Sequence, residues 1–171
     1  QRLNNAGHYL GPHSDQHLLY NDWGKRDSLL ISKEQFVADM QKNLNQMRFE
    51  NIPVNRPQYY IPPYEWWNDS IAAWSEELNL QLISFTPGIR TNADYTYPAM
   101  GASYKSTDSI INGVKALSVN SPGKLNGAII LIHAGTDARR RDKLYNRLDE
   151  MIDVLRSKGF TFKRVDELLS K

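Results

Sequence analysis

The sequence predicts an α/β fold with mostly parallel strands. Two apolar runs, Leu80–Phe85 and Ala128–Ile132, have the length and near-continuous hydrophobicity of strands buried on both faces. Between and around them lie segments whose apolar residues recur at helical spacing, so strands and helices alternate. The chain is also long enough, at 171 residues, to bury a core as one domain, residues 1–171.

The elements follow in order. Gln1 to Gly7 reads as the last turn of a helix closed by Gly7 and running into a strand-like segment, Gly7–Leu10. Leu18–Gly24 is a loop rich in aromatic and polar groups. Ser32-Lys33-Glu34-Gln35 is a capping box, and it opens a helix whose Phe36, Met40, Leu44 and Met47 form one apolar stripe. That stripe is core by its periodicity. Asn51–Pro57 is a turn-rich linker leading to a strand, Gln58–Ile61, which Pro62-Pro63 stops. After the loop Tyr64–Trp67, Asn68 or Asp69 caps a helix with Ile71, Trp74 and Leu78 on one face. Thr86–Lys105 is long and irregular, which inside a compact domain marks a functional or mobile loop. Ser106 or Thr107 caps a helix carrying Ile110, Ile111, Val114 and Leu117. Asp137 is expected to begin a long helix with a stripe of Leu144, Leu148, Met151, Ile152 and Leu155, ended by Gly159. Phe160–Lys163 is a last strand and Val165–Leu169 a short helix. Five strands suit an open sheet, whereas a barrel needs further strands from outside this sequence.

Composition excludes some functions. A net charge of +2 with both signs interspersed gives no nucleic-acid footprint, and no apolar run approaches a membrane span. The absence of cysteine removes disulfides and thiolate ligands. The start at Gln1, in mid-pattern and without Met, is expected of a fragment or a processed product.

The candidate chemistry centres on Gly7–His17. Three of the four histidines (His8, His13, His17 and His133) fall inside these eleven residues. His13 and His17, four residues apart, can converge on one point in a helical turn or a tight loop, and such a pair suits zinc or cobalt with a carboxylate and water. Two surface histidines at helical spacing have the same signature. His13 and His17, Tyr64–Trp67, the loop after Phe85 and His133 all follow expected strands, and are therefore expected at one site.

Gly7-His8-Tyr9-Leu10-Gly11-Pro12-His13-Ser14-Asp15-Gln16-His17 resembles the second motif of the polysaccharide deacetylase family (carbohydrate esterase family four, the NodB homology domain). Gly7, His8, Gly11, His13, Ser14 and His17 match that motif, while Tyr9 and Pro12 depart from it. Ile61-Pro62-Pro63-Tyr64-Glu65 is similar to the third motif, with Ile61 where the family has Arg; Arg56 or Arg90 is a spatial substitute to look for. Asn92-Ala93-Asp94-Tyr95 weakly echoes the fourth motif, and Leu131-Ile132-His133 matches the fifth.

The resemblance implies an incomplete (β/α) barrel of the deacetylase type and metal-dependent removal of N- or O-acetyl groups from a polysaccharide or oligosaccharide. It implies a divalent metal on His13 and His17, zinc first, with cobalt, nickel or manganese as alternatives. It makes His133 the acid that protonates the leaving amine, and gives the Tyr64 amide to the oxyanion. Pro63 would form a groove wall, Leu131 would line the acetyl pocket, and Trp66, Trp67 and Tyr95 would stack on sugar rings, against ordinary loop packing as the alternative. The implied location is the bacterial cell envelope, periplasm or exterior. The family's first motif supplies the base and third ligand as an Asp-Asp pair, and this sequence contains none. The pair is expected before Gln1, which would leave this chain inactive alone. A sheet edge exposed by its loss would be covered by a retained N-terminal segment or a second copy of the chain. A non-catalytic glycan-binding module and a metal-dependent hydrolase of small amides are the other readings.

Overall fold

The computed structural model describes residues 2–54 and 58–170. The chain divides into two compact units: one holds the described residues of Gln1–Ser84 and Arg164–Lys171, the other Phe85–Lys163.

In the first unit, α1 (Arg2–Asn5) ends at Gly7, whose φ of 80° suits glycine, with the His8 amide donating to the Leu3 carbonyl. The expected strand after it does not form. Instead the Tyr9 hydroxyl accepts the Tyr59 amide at 2.7 Å, so a side chain takes the backbone donor that a neighbouring strand would use. Gly11 lies so close to that segment that a Cβ would sit 2.5 Å from the Tyr59 carbonyl oxygen. α2 (Lys33–Phe49) starts at the expected capping box, with Ser32 Oγ accepting the Gln35 amide and Gln35 Oε1 accepting the Ser32 amide. Its stripe is buried: Phe36, Met40, Leu44 and Met47 join Tyr20, Tyr60, Ile71 and Leu80 in one cluster. Each such side chain removed from water contributes about 1.5–3 kcal/mol.

β1 (Gln58–Tyr60) pairs in parallel with β2 (Leu80–Leu82), Gln58 opposite Leu80 and Tyr60 opposite Leu82. Between them α3 (Asp69–Glu77) is capped by Asn68, whose Oδ1 accepts the Ile71 amide at 3.1 Å. Ile71 is buried, and Trp74 and Leu78 pack against the same cluster, as the helical spacing predicts.

The second unit gathers around α4 (Thr107–Asn120) and α5 (Leu148–Ser157). Ser106 caps α4 by accepting the Ser109 amide, and Ile110, Ile111 and Val114 bury with Ile89, Leu125, Leu144, Met151 and Leu155. The expected helix from Asp137 begins later. Asp137 folds back on Arg139, Arg140 turns inward, and Leu144–Arg147 makes a single 3₁₀ turn before α5. The fully buried Arg140 explains the delay, because its guanidinium donates to the Thr96 and Lys105 carbonyls and to Thr107 Oγ1. Those contacts tie the irregular 86–107 stretch to α4, with 3₁₀ turns at Thr91–Tyr95 and Pro98–Ser103.

Five strands were expected, and among the described residues two form a ladder. Leu80–Phe85 and Gln58–Ile61 are shortened, while Ala128–Ile132 and Phe160–Lys163 form no regular element. Within Ala128–Ile132, Ile129 donates to Thr86 Oγ1 and accepts the Thr86 amide, both at 2.9 Å, and the Ala128 amide turns back to the Leu125 carbonyl at 3.3 Å. Hydrophobicity supports burial of such a run, but a strand also needs a neighbour with matching free donors and acceptors. The parallel pairing is as expected; a closed barrel is not formed by this two-stranded sheet. α6 (Val165–Leu169) returns to the first unit, where Arg164 donates to the Gly7 carbonyl. Among the described residues no helix is long and apolar enough to cross a membrane.

Candidate functional site

The first unit carries the paired histidines. His13 and His17 do not sit on a helix. They flank a tight loop in which Ser14 (φ 88°) and His17 (φ 54°) adopt left-handed backbone conformations. Such conformations are uncommon for non-glycine residues and persist only where surrounding contacts impose them. Here the contacts are polar. Ser14 Oγ accepts the His17 amide at 2.8 Å, and the buried Asp39 carboxylate accepts the Asp15 and Gln16 amides at 3.2 and 2.9 Å. Asn43 Oδ1 accepts the His13 amide at 3.2 Å. Asp39 and Asn43 are four residues apart on α2, so one helix face anchors the loop.

That anchoring brings the two rings together, with centroids 5.0 Å apart and planes tilted by 60°. His13 Nδ1 lies 2.8 Å from the Ile61 carbonyl oxygen. A carbonyl only accepts, so Nδ1 carries the proton and the Nε2 lone pair of the neutral ring is left for another ligand. This is the arrangement by which metal-binding imidazoles are usually oriented. The donor set is nevertheless short. Among the described residues no cluster of three or more His, Cys, Asp or Glu side chains suits a metal, whereas a catalytic zinc takes three protein ligands and a water. The two imidazoles therefore fit part of a metal site, not a complete one.

Beneath the loop, the buried Tyr20 and Tyr60 hydroxyls share a 2.5 Å hydrogen bond. Burial pushes Tyr20 up to about 12, against the lowering effect of its bond to Tyr60, and it raises Tyr60 as well. Both rings belong to the core cluster of the first unit.

Pro63 is buried behind Tyr64, which has a left-handed backbone (φ 60°, ψ 9°). Its ring stands edge-on to His17 with centroids 4.6 Å apart. The Tyr64 amide donates to no acceptor among the described residues, while the next two amides bond to Pro62 and Pro63. Trp66 is 5.7 Å from Trp23, and Trp67 packs partly buried against the core cluster. Ile61 supplies a carbonyl where the family motif would place an Arg side chain. Arg56 lies outside the described residues.

The second unit carries His133. The Asp94 carboxylate, 1% exposed, accepts both the His133 amide at 2.8 Å and His133 Nδ1 at 2.6 Å. With its backbone amide and its ring both bound to one carboxylate, His133 is fixed in orientation, Nδ1 carries a proton, and Nε2 is turned to other partners. Tyr95 stands edge-on to His133 at 5.9 Å. Leu131 is half-buried in the extended run that ends at His133. Arg90 has a left-handed backbone (φ 64°) and lines a cavity of about 400 Å³ with Lys105 and Ile110.

Several of these positions were missing from the sequence-derived set. Asp94 appeared there only as part of a weak motif echo, although a buried Asp is itself a sign of an obligatory partner. Asp39 breaks the α2 stripe with a charge next to Met40, a signal that apolar periodicity overlooks. Trp23 falls in the aromatic and polar loop Leu18–Gly24, and no local pattern singles out Arg26.

No protein-family model matches the sequence, and no curated protein matches it. Among solved structures the chain is similar to the wild-type CE4 family pseudoenzyme from Bacillus anthracis, with 19% identity and a TM-score of 0.65, over 99% of this chain and 49% of that one. A mutant of that pseudoenzyme with restored enzymatic activity gives 18% identity and a TM-score of 0.67, over 99% of this chain and 50% of that one. Another mutant gives 19% and 0.65, over 99% and 50%. At these identities the likeness is one of fold, and this chain spans about half the length of the structures it matches.

Proposed function

We propose, on the fold this chain shares with the CE4 structures, that it serves metal-dependent deacetylation of an N- or O-acetylated glycan. The observation that carries the reading is His13. Its Nδ1 is held by the Ile61 carbonyl at 2.8 Å, which leaves Nε2 for a further ligand, and the His13 and His17 ring centroids are 5.0 Å apart. A divalent metal of the zinc class, when bound, polarises the acetyl carbonyl and lowers the pKa of a water. His13 and His17 give two donors to it. The third donor and the general base are assigned to an Asp pair on a segment preceding Gln1. The Tyr64 amide, without an acceptor among the described residues, donates to the oxyanion. His133 passes a proton from Nε2 to the departing nitrogen while Asp94 holds Nδ1. Leu131 accommodates the acetyl methyl, Pro63 forms a wall, and Trp66, Trp67 and Tyr95 contact the sugar. An envelope or secreted location follows from a polymeric glycan substrate.

The test is acetate release from acetylated chitooligosaccharides or peptidoglycan fragments with added Zn²⁺ or Co²⁺, for this chain and for a version extended upstream. The extended protein should release acetate only with metal, and this chain alone should be inactive. His133→Ala should lower kcat by ~10²–10⁴-fold without changing metal content. Full activity of the short chain would move the base to a carboxylate already present, such as Asp15 or Asp94. Inactivity of the extended protein with metal bound would refute the reading. In that case a non-catalytic glycan-binding module, favoured by Ile61 in place of Arg and by the short donor set, becomes the better one.

A further inference from the structure

Beside the histidine pair, the loop from Asp22 to Arg26 packs on the segment from Trp66 to Asn68 and brings in two side chains, Trp23 and Arg26, to which the proposed reaction gives no role. Trp23 is 59% exposed. Its ring lies 5.7 Å from Tyr64, edge-on, and 5.7 Å from Trp66, tilted by 32°. Tyr64 in turn touches His17, so the aromatic surface is continuous from the histidines to Trp66. The Arg26 guanidinium sits over Trp66, 4.4 Å from the ring centroid, and Nε donates to the Trp67 carbonyl at 2.6 Å.

This surface is built rather than incidental. Trp66 Nε1 donates to the Asp22 carbonyl and Asn68 Nδ2 to the Arg26 carbonyl, each at 3.3 Å. Asp22 Oδ1 accepts the Gly24 and Lys25 amides at 2.7 and 2.9 Å. The loop is thus ordered while its largest apolar side chain stays in water, an arrangement that favours contact with a partner. Rigid aromatic side chains lose little entropy when they bind.

We propose that Trp23 and Arg26 form a subsite for a saccharide ring bearing a carboxylate. The C–H face of a pyranose stacks on the indole while its hydroxyls stay hydrated, a match to a half-exposed aromatic. Arg26 adds charge selection. Its Nε is committed to Trp67, and its two terminal nitrogens make no hydrogen bond to any described residue. That planar fork suits a carboxylate bidentately, held in position by the ring beneath it. The inference rests on the proposed function for the class of ligand, a glycan, and adds its charge and the residues that read it.

The experiment is calorimetric titration of the chain in metal-free buffer containing EDTA, with tetragalacturonate as the acidic probe and cellotetraose as the neutral one. The parent should bind the acidic tetramer ~10-fold or more tightly than the neutral one, a preference that fades with salt. Arg26→Gln should erase the preference but leave neutral binding, Arg26→Lys should keep only part of it, and Trp23→Ala should weaken both ligands ~10-fold. A purely structural Arg26 would not separate acidic from neutral ligands. Equal binding of the two, unchanged in Arg26→Gln, overturns the inference, and so does binding of neither. Acidic binding in EDTA with no acetate release from the extended, metal-loaded protein would sustain the subsite and sink the deacetylase reading. Metal-dependent acetate release by a protein that binds neither tetramer would do the reverse.

Discussion

Replacing Asp39 by Ala removes the acceptor that holds the loop between the paired histidines. The carboxylate is 4% exposed and accepts two backbone amides, at 2.9 and 3.2 Å. Hydrogen bonds to a charged partner are worth about 1.5–3 kcal/mol each. Part of that returns on substitution, since a buried charge disappears and the freed amides belong to exposed residues that water can reach. The net cost should be about 2 kcal/mol, or ~30-fold in the folding equilibrium. Asp39→Asn should behave like Asp39→Ala and unlike the parent, because one of its two terminal atoms becomes a donor facing an amide donor. Urea unfolding followed by tryptophan fluorescence is the assay. All four tryptophans, Trp23, Trp66, Trp67 and Trp74, belong to the same unit as Asp39, so the signal reports that unit. An Asp39→Ala loss below about 0.5 kcal/mol, or an Asn variant equal to the parent, would show that Ser14 and Asn43 suffice to hold the loop.

Tyr20, raised to about 12 by burial, binds its proton more tightly folded than unfolded, where the group titrates near 10. Its contribution is therefore fully present below pH 10 and is lost as pH rises toward 12, about 3 kcal/mol in all. Tyrosinate absorbance that develops well before unfolding would contradict this. Gly11→Ala places a Cβ 2.5 Å from the Tyr59 carbonyl oxygen and should cost about 1–3 kcal/mol, read as a lower urea midpoint; an unchanged midpoint would show that the segment can shift freely. Asp94→Ala leaves the His133 amide and ring without their acceptor and should destabilise the second unit by about 1–3 kcal/mol. Near-ultraviolet circular dichroism of that unit's tyrosines gives the measurement, and an unaltered denaturation curve would rule the interaction out as structural.

Helices were legible in the sequence because their signals are local. The Ser32–Gln35 capping box, the Asn68 and Ser106 caps, the stripe Phe36-Met40-Leu44-Met47 and the glycine stops at Gly7 and Gly159 each act within a turn or two. His13, His17, Tyr64 and His133 stand out in the sequence by type and spacing, and the fold sets the rings of His13 and Tyr64 against His17 and bonds His133 to Asp94. Strands were legible only in part: Gln58–Tyr60 and Leu80–Leu82 pair in parallel as expected, whereas Ala128–Ile132 has the apolar character of a strand but finds no ladder among the described residues, since pairing depends on a distant neighbour. The start of α5 was displaced for a similar reason: Arg140 serves carbonyls some 35 to 44 positions away, and local periodicity carries no trace of them. Only the tertiary structure brought Asp39 under the histidine loop, Asp94 onto His133 and Arg26 over Trp66. Each of those contacts joins residues between 23 and 41 positions apart, and their energy exists only once the chain has folded.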